Sequence, residues 1–388
     1  MNEFKEAKRT GINSVKWDMA REEVKNENAL PFWVADSDYE TAPCIKDALR
    51  ERLENGTFGY SFASKSYFHA IHDWFKNNHG YEVNEDLIAI TGGVVNALYL
   101  MVKLFTKDGD SVTINPPVYN PFYELIKNNN RNILVNKLVR YEIDDTFFSY
   151  KFDFDDLEDK ISKSKIFILC NPHNPVGRCY QMEELEKIVN ICKKHNCILV
   201  SDEIHCDLYM EDSKFNSVGK FFNEYENIVI CTAPSKTFNV AGLSNSNIIF
   251  NSQEIFKVFR KEISNLSIED CIFGLVGCEA AYTKGYEWAE MQRHHLTNNR
   301  NLVYEFVKKN NLKVAKLEGT YLMWIDISRL NIKQEDIYQA LIKENIIINM
   351  GTNYDPSATK LIRFNIACSL NQLKQGLVYL QNFVNKYQ

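Results

Sequence analysis

No two cysteines in this 388-residue chain are spaced as CxxC, and the closest spacing mid-chain runs from Cys192 to Cys197. The ten cysteines are scattered, and several, such as Cys170 and Cys231, sit inside apolar runs where a thiol serves as a small buried hydrophobe. No disulfide framework is expected, which suits a reducing, cytoplasmic setting. No apolar stretch is long enough to cross a bilayer, and the first nine residues lack the apolar core of a signal peptide. A net charge of -6, with acids and bases interspersed, leaves no basic face for nucleic acid. Neither GxGxxG nor a P-loop occurs, which disfavours a dinucleotide or ATP. Repeats, low-complexity tracts and obvious linkers are absent too, so domain boundaries are soft.

What is present suits a globular protein: 45% hydrophobic and 25% charged residues, on a chain long enough for two or three domains. Between about residues 85 and 250, short apolar runs alternate with segments of helical period. The runs cover 87–91, 111–115, 166–170, 197–201, 228–232 and 247–250. They are apolar throughout, as strands covered on both faces are. Between two of them, Leu185, Ile188, Val189 and Cys192 share one helix face. The pattern predicts a doubly wound α/β domain. The end of the chain differs. Leu370, Leu373, Leu377, Leu380 and Val384 recur every three or four residues, predicting a final helix capped by Ser369. Runs at 321–326 and 361–365 read as strands. We expect a large domain over 46–284, a smaller α+β domain over 285–388, and an N-terminal segment, 1–45, packing with the smaller one.

Four strand ends carry groups that one ligand could use. Lys236 lies in Ala-Pro-Ser-Lys-Thr-Phe-Asn (233–239), just past the apolar run 228–232. A lysine held there borders the pocket that strand ends create, and on losing its proton it can attack a carbonyl, as Schiff-base lysines do. Thr-Gly-Gly-Val-Val-Asn (91–96) ends a strand and opens a helix. Glycines let backbone approach an anion, and free N–H groups at a helix start bind phosphate. Asn-Pro-His-Asn-Pro-Val-Gly (171–177) fixes a rigid turn that can aim Asn174 into a pocket. Ser-Asp-Glu-Ile-His (201–205) puts Asp202 at the end of a buried strand, where a carboxylate is costly without a cationic partner. A protonated heterocycle nitrogen would serve. Taken singly, each motif also reads as a tight turn, a helix cap or a surface lysine.

These motifs, followed by Ile-Arg-Phe-Asn-Ile-Ala (362–367), resemble the fold-type I pyridoxal-phosphate enzymes over nearly the whole chain. Within that superfamily the chain is most similar to the MalY/PatB-type carbon–sulfur β-lyases, the group that includes cystalysin. That likeness rests on Leu-Pro-Phe-Trp-Val-Ala-Asp (30–36), Phe-Gly-Tyr (58–60), Pro-Val-Tyr-Asn-Pro-Phe (117–122), His205 and Glu-Gly-Thr-Tyr-Leu-Met-Trp (318–324). The resemblance implies a large three-layer α/β/α domain with a mostly parallel sheet, plus a small α+β domain. It implies pyridoxal 5′-phosphate as cofactor, carried by Lys236, which then acts as the base at substrate Cα. Asp202 would pair with the ring nitrogen, Asn174 with the 3′ oxygen, Tyr119 would stack on the ring, and His205 would lie against the cofactor. Gly93, Val94 and Ser235 would hold the phosphate, with Tyr60 reaching it from a second copy in a homodimer. Arg363 would clamp the substrate carboxylate, beside Asn174 and Ala35.

Two departures stand out. Position 244, eight residues after the lysine, is Ser where aminotransferases of the superfamily carry a phosphate-binding arginine. Position 120 is Asn where some of these lyases have a second tyrosine, leaving Tyr119 as the tyrosine near the leaving group. The expected reaction is β-elimination from an L-cystathionine- or L-cysteine-type substrate. The alternatives are an aminotransferase using the same lysine, aspartate and arginine, and a regulatory protein on the same fold. No metal site is expected: His69 and His72 lack a spaced third ligand, and Asp153, Asp155 and Asp156 read as a strand-to-helix turn with caps. Tyr67, Phe68, Trp74 and Phe75 read as core or as part of a dimer seam.

Overall fold

The computed structural model describes residues 5–268 and 270–388. Residues 1–4, the start of the segment in which no signal peptide was read, lie outside the described residues.

A seven-stranded sheet forms the larger half, in the order Ile88–Thr91, Ser246–Phe250, Ile228–Thr232, Ile198–Asp202, Ile166–Cys170, Ser111–Ile114, Asn132–Val135. All neighbours pair in parallel except Ser246–Phe250, which runs antiparallel to both of its own. The apolar runs form these strands because each buries both faces. Phe167 and Leu169 enter one core layer, while Ile166, Ile168 and Cys170 enter the layer on the opposite side. Helices complete both layers, among them Met182–Lys194, whose Leu185, Ile188, Val189 and Cys192 are buried as the periodicity requires. The edge strand Asn132–Val135 gave no sequence signal: it is short, half exposed and begins with a polar residue. Trp74, Phe75 and Tyr67 are core residues, with Phe68 half buried against them. Asp153 caps the helix Phe154–Ile161 by accepting from the Asp156 amide at 3.1 Å.

A second sheet has six strands, in the order Asn349–Met350, Leu361–Asn365, Leu322–Asp326, Lys313–Ala315, Phe147–Lys151, Val139–Glu142. Its last two strands come from mid-chain, where Val-Arg-Tyr-Glu alternates polar and apolar residues too briefly to announce a strand. The final helix, Leu370–Tyr387, is capped by the Ser369 side chain and packs Leu373, Leu377, Leu380 and Val384 inward. Leu370 departs from the expected stripe: on the first turn it is exposed, and Phe383 fills the core instead.

The N-terminal segment is stitched to this unit. Leu30–Pro31 pairs with Ile346–Ile347, and Phe32 stacks on Phe364 at 4.3 Å between ring centroids. Gly376 makes room for Phe32, since a Cβ there would fall 2.3 Å from the ring. The chain then runs through residues 33–38 to the carboxyl ends of the large sheet.

Candidate active site

Strand register assembles the site. Asp202 lies beside Cys170 on one side and Cys231 on the other, at the carboxyl ends of three parallel strands. Ligands bind at such ends in open α/β sheets. A cavity of about 200 Å³ opens there. Its wall includes Ala35, Gly93, Val94, Tyr119, Asn174, Asp202, His205, Ser235 and Lys236. A second cavity, of about 460 Å³, adjoins it across Ala35, Tyr119 and Lys236 and is bordered by Arg363. Of the residues to which the resemblance gives a site role, Tyr60 alone lines neither: it is 95% exposed.

Lys236 sits in a turn closed by the Phe238 amide on Pro234 O and the Val240 amide on Ser235 O. Thr237 Oγ1 ties that turn to buried Asp207 at 2.9 Å, and Asp207 also accepts from Trp74 and His79. The Lys236 ammonium donates to Ala35 O at 2.7 Å. Burial lowers its pKa, and the Arg363 charge works the same way against the raising effects of Asp36 and Asp202.

Asp202 is 5% exposed, and burial pushes its carboxyl up to about 7. The Ile204 amide and the charge of Lys236 only partly offset this, and among the described residues no cation lies within ion-pair distance. His205 is buried, meets Tyr321 edge-on at 5.8 Å, and its Nδ1 has no hydrogen-bond partner. Burial, then the charges of Lys236 and Arg363, hold it well below its usual pKa, so it is neutral.

Asn174 projects from the turn that its two prolines shape. Behind it His173, buried and lowered to about 4, is neutral; it donates from Nε2 to Pro117 O at 2.8 Å and accepts from Tyr180 at Nδ1. That bond fixes the loop bearing Tyr119 against the loop bearing Asn174, a role nothing in the sequence marked. Gly93 precedes the helix Val94–Phe105, whose first turn has no side-chain cap, and a Cβ at Gly93 would meet nothing within 4 Å. The helix start thus offers free N–H groups to an anion.

Arg363 faces the second cavity. It donates to Asn174 Oδ1 at 3.1 Å, to Asn349 Oδ1 at 2.8 Å and to Trp33 O, with its guanidinium 4.9 Å from the Tyr354 ring centroid. Asn349 and Tyr354 were not foreseen. Asn349 reaches Arg363 only because their strands pair in that register. Tyr354 corrects the expectation of a single tyrosine here. Ser244 does not border the cofactor-sized cavity. His69, on an exposed helix face, pairs with Asp73 of the same helix at 3.5 Å and with Glu85 at 2.9 Å.

A lone buried carboxyl wanting a cation, an uncapped helix start, a lysine of lowered pKa and an unpartnered imidazole nitrogen surround one ring-sized space. This donor set fits pyridoxal 5′-phosphate: ring nitrogen, phosphate and aldehyde each find a complementary group.

The comparisons agree with that reading. Residues 28–380 match the family model for class I and II aminotransferases. The chain is 38% identical to the cystathionine beta-lyase PatB of Bacillus subtilis, over 97% of this chain and 98% of that protein. A pyridoxal-phosphate-bound protein of Clostridium difficile, provisionally named as an aminotransferase, superposes with a TM-score of 0.94 at 35% identity, covering 99% of this chain and 100% of the other. Cystalysin from Treponema denticola, which contains pyridoxal 5′-phosphate, superposes with a TM-score of 0.94 at 31% identity, covering 100% and 99%. The chain belongs to the class I and II aminotransferase family of fold-type I pyridoxal-phosphate enzymes, in its PatB-like branch.

Proposed function

We propose that this protein is a pyridoxal-phosphate-dependent carbon–sulfur β-lyase that converts L-cystathionine- or L-cysteine-type substrates to a thiol, pyruvate and ammonia. What carries the reading is the joining of Lys236 and Asp202 in one cavity, in a chain that matches a cystathionine beta-lyase over 97% of its length. Among the described residues no arginine lines that cavity, which with Ser at 244 favours it over transamination.

Bound pyridoxal 5′-phosphate supplies the electron sink for the charge left when substrate Cα loses its proton. Asp202 keeps the ring nitrogen protonated, which that sink requires, and gains the cation its buried carboxylate lacks. Gly93, Val94 and Ser235 hold the phosphate; Asn174 meets the ring's 3′ oxygen, and Tyr119 and His205 border the ring. Arg363 clamps the substrate carboxylate bidentately, with Asn174 and Ala35 beside it, and so fixes the Cα–H bond toward Lys236. Lys236 takes the Cα proton, burial lowering its pKa in the direction a general base needs. Tyr119 and Tyr354, both held protonated by burial, line the cavity bordered by Arg363 and can give a proton to the departing thiolate. The exposed Tyr60 supports a homodimer in which the partner subunit's Tyr60 completes the phosphate site. It also supports a division of labour in which 46–284 carries the cofactor and 285–388, joined by 1–45, presents Arg363.

The test is pyruvate release from L-cystathionine by the cofactor-loaded protein, with and without 2-oxoglutarate. Multiple turnovers without the keto acid are expected, and Lys236→Ala should remove them while leaving the melting temperature in place. Glutamate formation that depends on the keto acid, with no pyruvate in its absence, would move the protein to transamination.

A further inference from the structure

Every backbone carbonyl from Trp33 to Ser37 accepts a hydrogen bond from a side chain, although this strip pairs with no strand. Two of the donors are working groups of the site: Arg363 holds Trp33 O, and Lys236 holds Ala35 O at 2.7 Å. Asn365 holds Val34 O and Asp36 O at 2.6 and 2.9 Å, and Asn239 holds Ser37 O at 3.0 Å. Lys236 cannot anchor the strip and also leave it to bind cofactor or move a proton. When Lys236 turns to the cofactor, Ala35 O loses its donor, and the strip depends on its remaining contacts on both sides.

Two N-terminal cations are among those contacts. Lys16 binds Asp36 O at 2.9 Å and forms an ion pair with Asp38 at 2.8 Å, both side chains 1% exposed. Trp17 and Gln372 also donate to Asp38, and Arg9 Nε lies 4.0 Å from it at the edge of the latch, which makes this latch part of the fold. Arg9 is different. One of its nitrogens meets Ser37 O at 2.6 Å, and the other meets the Asp36 carboxylate and Ser14 Oγ. Among the described residues, no other cation pairs with Asp36.

We propose that Arg9 is a positioning residue for the reaction, holding the 33–37 strip against the cofactor cavity and occupying the Asp36 carboxylate so that Lys236 is free to react. The inference rests on the reading of Lys236 as the cofactor-bearing lysine. The groups facing Lys236 are Asp36 and Asp202 of one sign, Arg363 of the other, and neutral His205 and Tyr119. Without Arg9, the Asp36 carboxylate is left to act on Lys236, and that attraction keeps the lysine protonated and bound to the 33–37 strip. The remaining latch of Lys16 and Asp38 leaves the fold intact.

The experiment uses full-length protein stripped of cofactor. Pyridoxal 5′-phosphate is added, its attachment is fixed with borohydride at timed intervals, and the Lys236 peptide is quantified by mass. Arg9→Ala should slow capture at neutral pH about tenfold, the effect of a lysine that keeps its proton for roughly one pH unit longer. Its melting temperature should stay within about 2 °C of the parent, while Arg9→Lys should restore most of the rate. Arg9→Gln, uncharged but still a donor, replaces the alanine variant if that does not fold, under the same criteria. Capture by the neutral variant within twofold of the parent overturns the proposal. So does slow capture that comes with a lost melting transition and is not rescued by lysine. If the parent captures nothing at Lys236, the reading of the site falls too; if parent and variant capture alike, only the role of Arg9 does.

Discussion

Asp202→Asn should stabilise the cofactor-free protein while removing its activity. The substitution keeps the shape of the side chain and deletes a buried charge that the Ile204 amide and the charge of Lys236 only partly offset. A carboxyl held at about 7 instead of its usual 3.8 costs up to about 4 kcal/mol to ionise inside the fold. The sign follows from proton binding. Between pH 4 and 7 the folded carboxyl keeps its proton and the unfolded one has lost it, so stability falls as pH rises through this window and levels off above it. The asparagine variant pays no such cost. At pH 8 it should exceed the parent by up to about 4 kcal/mol, or about 5 °C in Tm for a chain of this size melting as one unit. Below pH 4 the two should coincide. Glu203, buried next to Asp202 and also raised to about 7, titrates in both proteins and largely cancels from the difference. Added pyridoxal 5′-phosphate should reverse the order, because only the parent offers a carboxylate to the ring nitrogen. Turnover of the variant should fall on the order of 10²- to 10³-fold, as when one preorganised electrostatic partner is removed. The assays are differential scanning calorimetry of both cofactor-free proteins from pH 4 to 8, and pyruvate release. A variant less stable than the parent at pH 8, or a difference that does not change with pH, would refute the reasoning.

Two further outcomes follow from the same geometry. Arg363→Lys should raise KM about 10- to 100-fold with a smaller change in kcat, since a point charge cannot repeat a bidentate clamp; an unchanged KM for the amino-acid substrate would remove Arg363 from carboxylate binding. Lys16→Met leaves buried Asp38 with Arg9, 4.0 Å away, as its one remaining ion-pair partner among the described residues and should cost about 3–5 kcal/mol in denaturant unfolding, whereas a loss below about 1 kcal/mol would show the latch to be dispensable.

Much of this protein was legible before folding was considered. Continuous apolar runs mark strands buried on both faces, so most strands of the large sheet and the motifs at their ends could be read directly. Lys236, Asp202, Asn174 and Gly93 could be named because each follows such a run within a few residues, and covalent connection alone places them at a strand's carboxyl end. The final helix was equally plain, apart from Leu370, where periodicity could not tell that the first turn overhangs the core.

The remainder depended on contacts between distant segments. The strands at 139–142 and 147–151 join a sheet whose other members lie beyond residue 310, and no local pattern encodes a partner that remote. Asn349 and Tyr354 surround Arg363 through strand register and loop packing, and His173 fixes two loops through one buried imidazole. Arg9 and Lys16 sit 20 to 28 residues before the carbonyls they hold, in a stretch with no helical or strand period. The chemical identity of the site was written in short motifs, because reactive groups and the turns that present them are local. Its electrostatic tuning was decided only by tertiary structure, because burial and through-space charge set the pKa values of Asp202, His205 and Lys236, and neither is a property of neighbours in sequence.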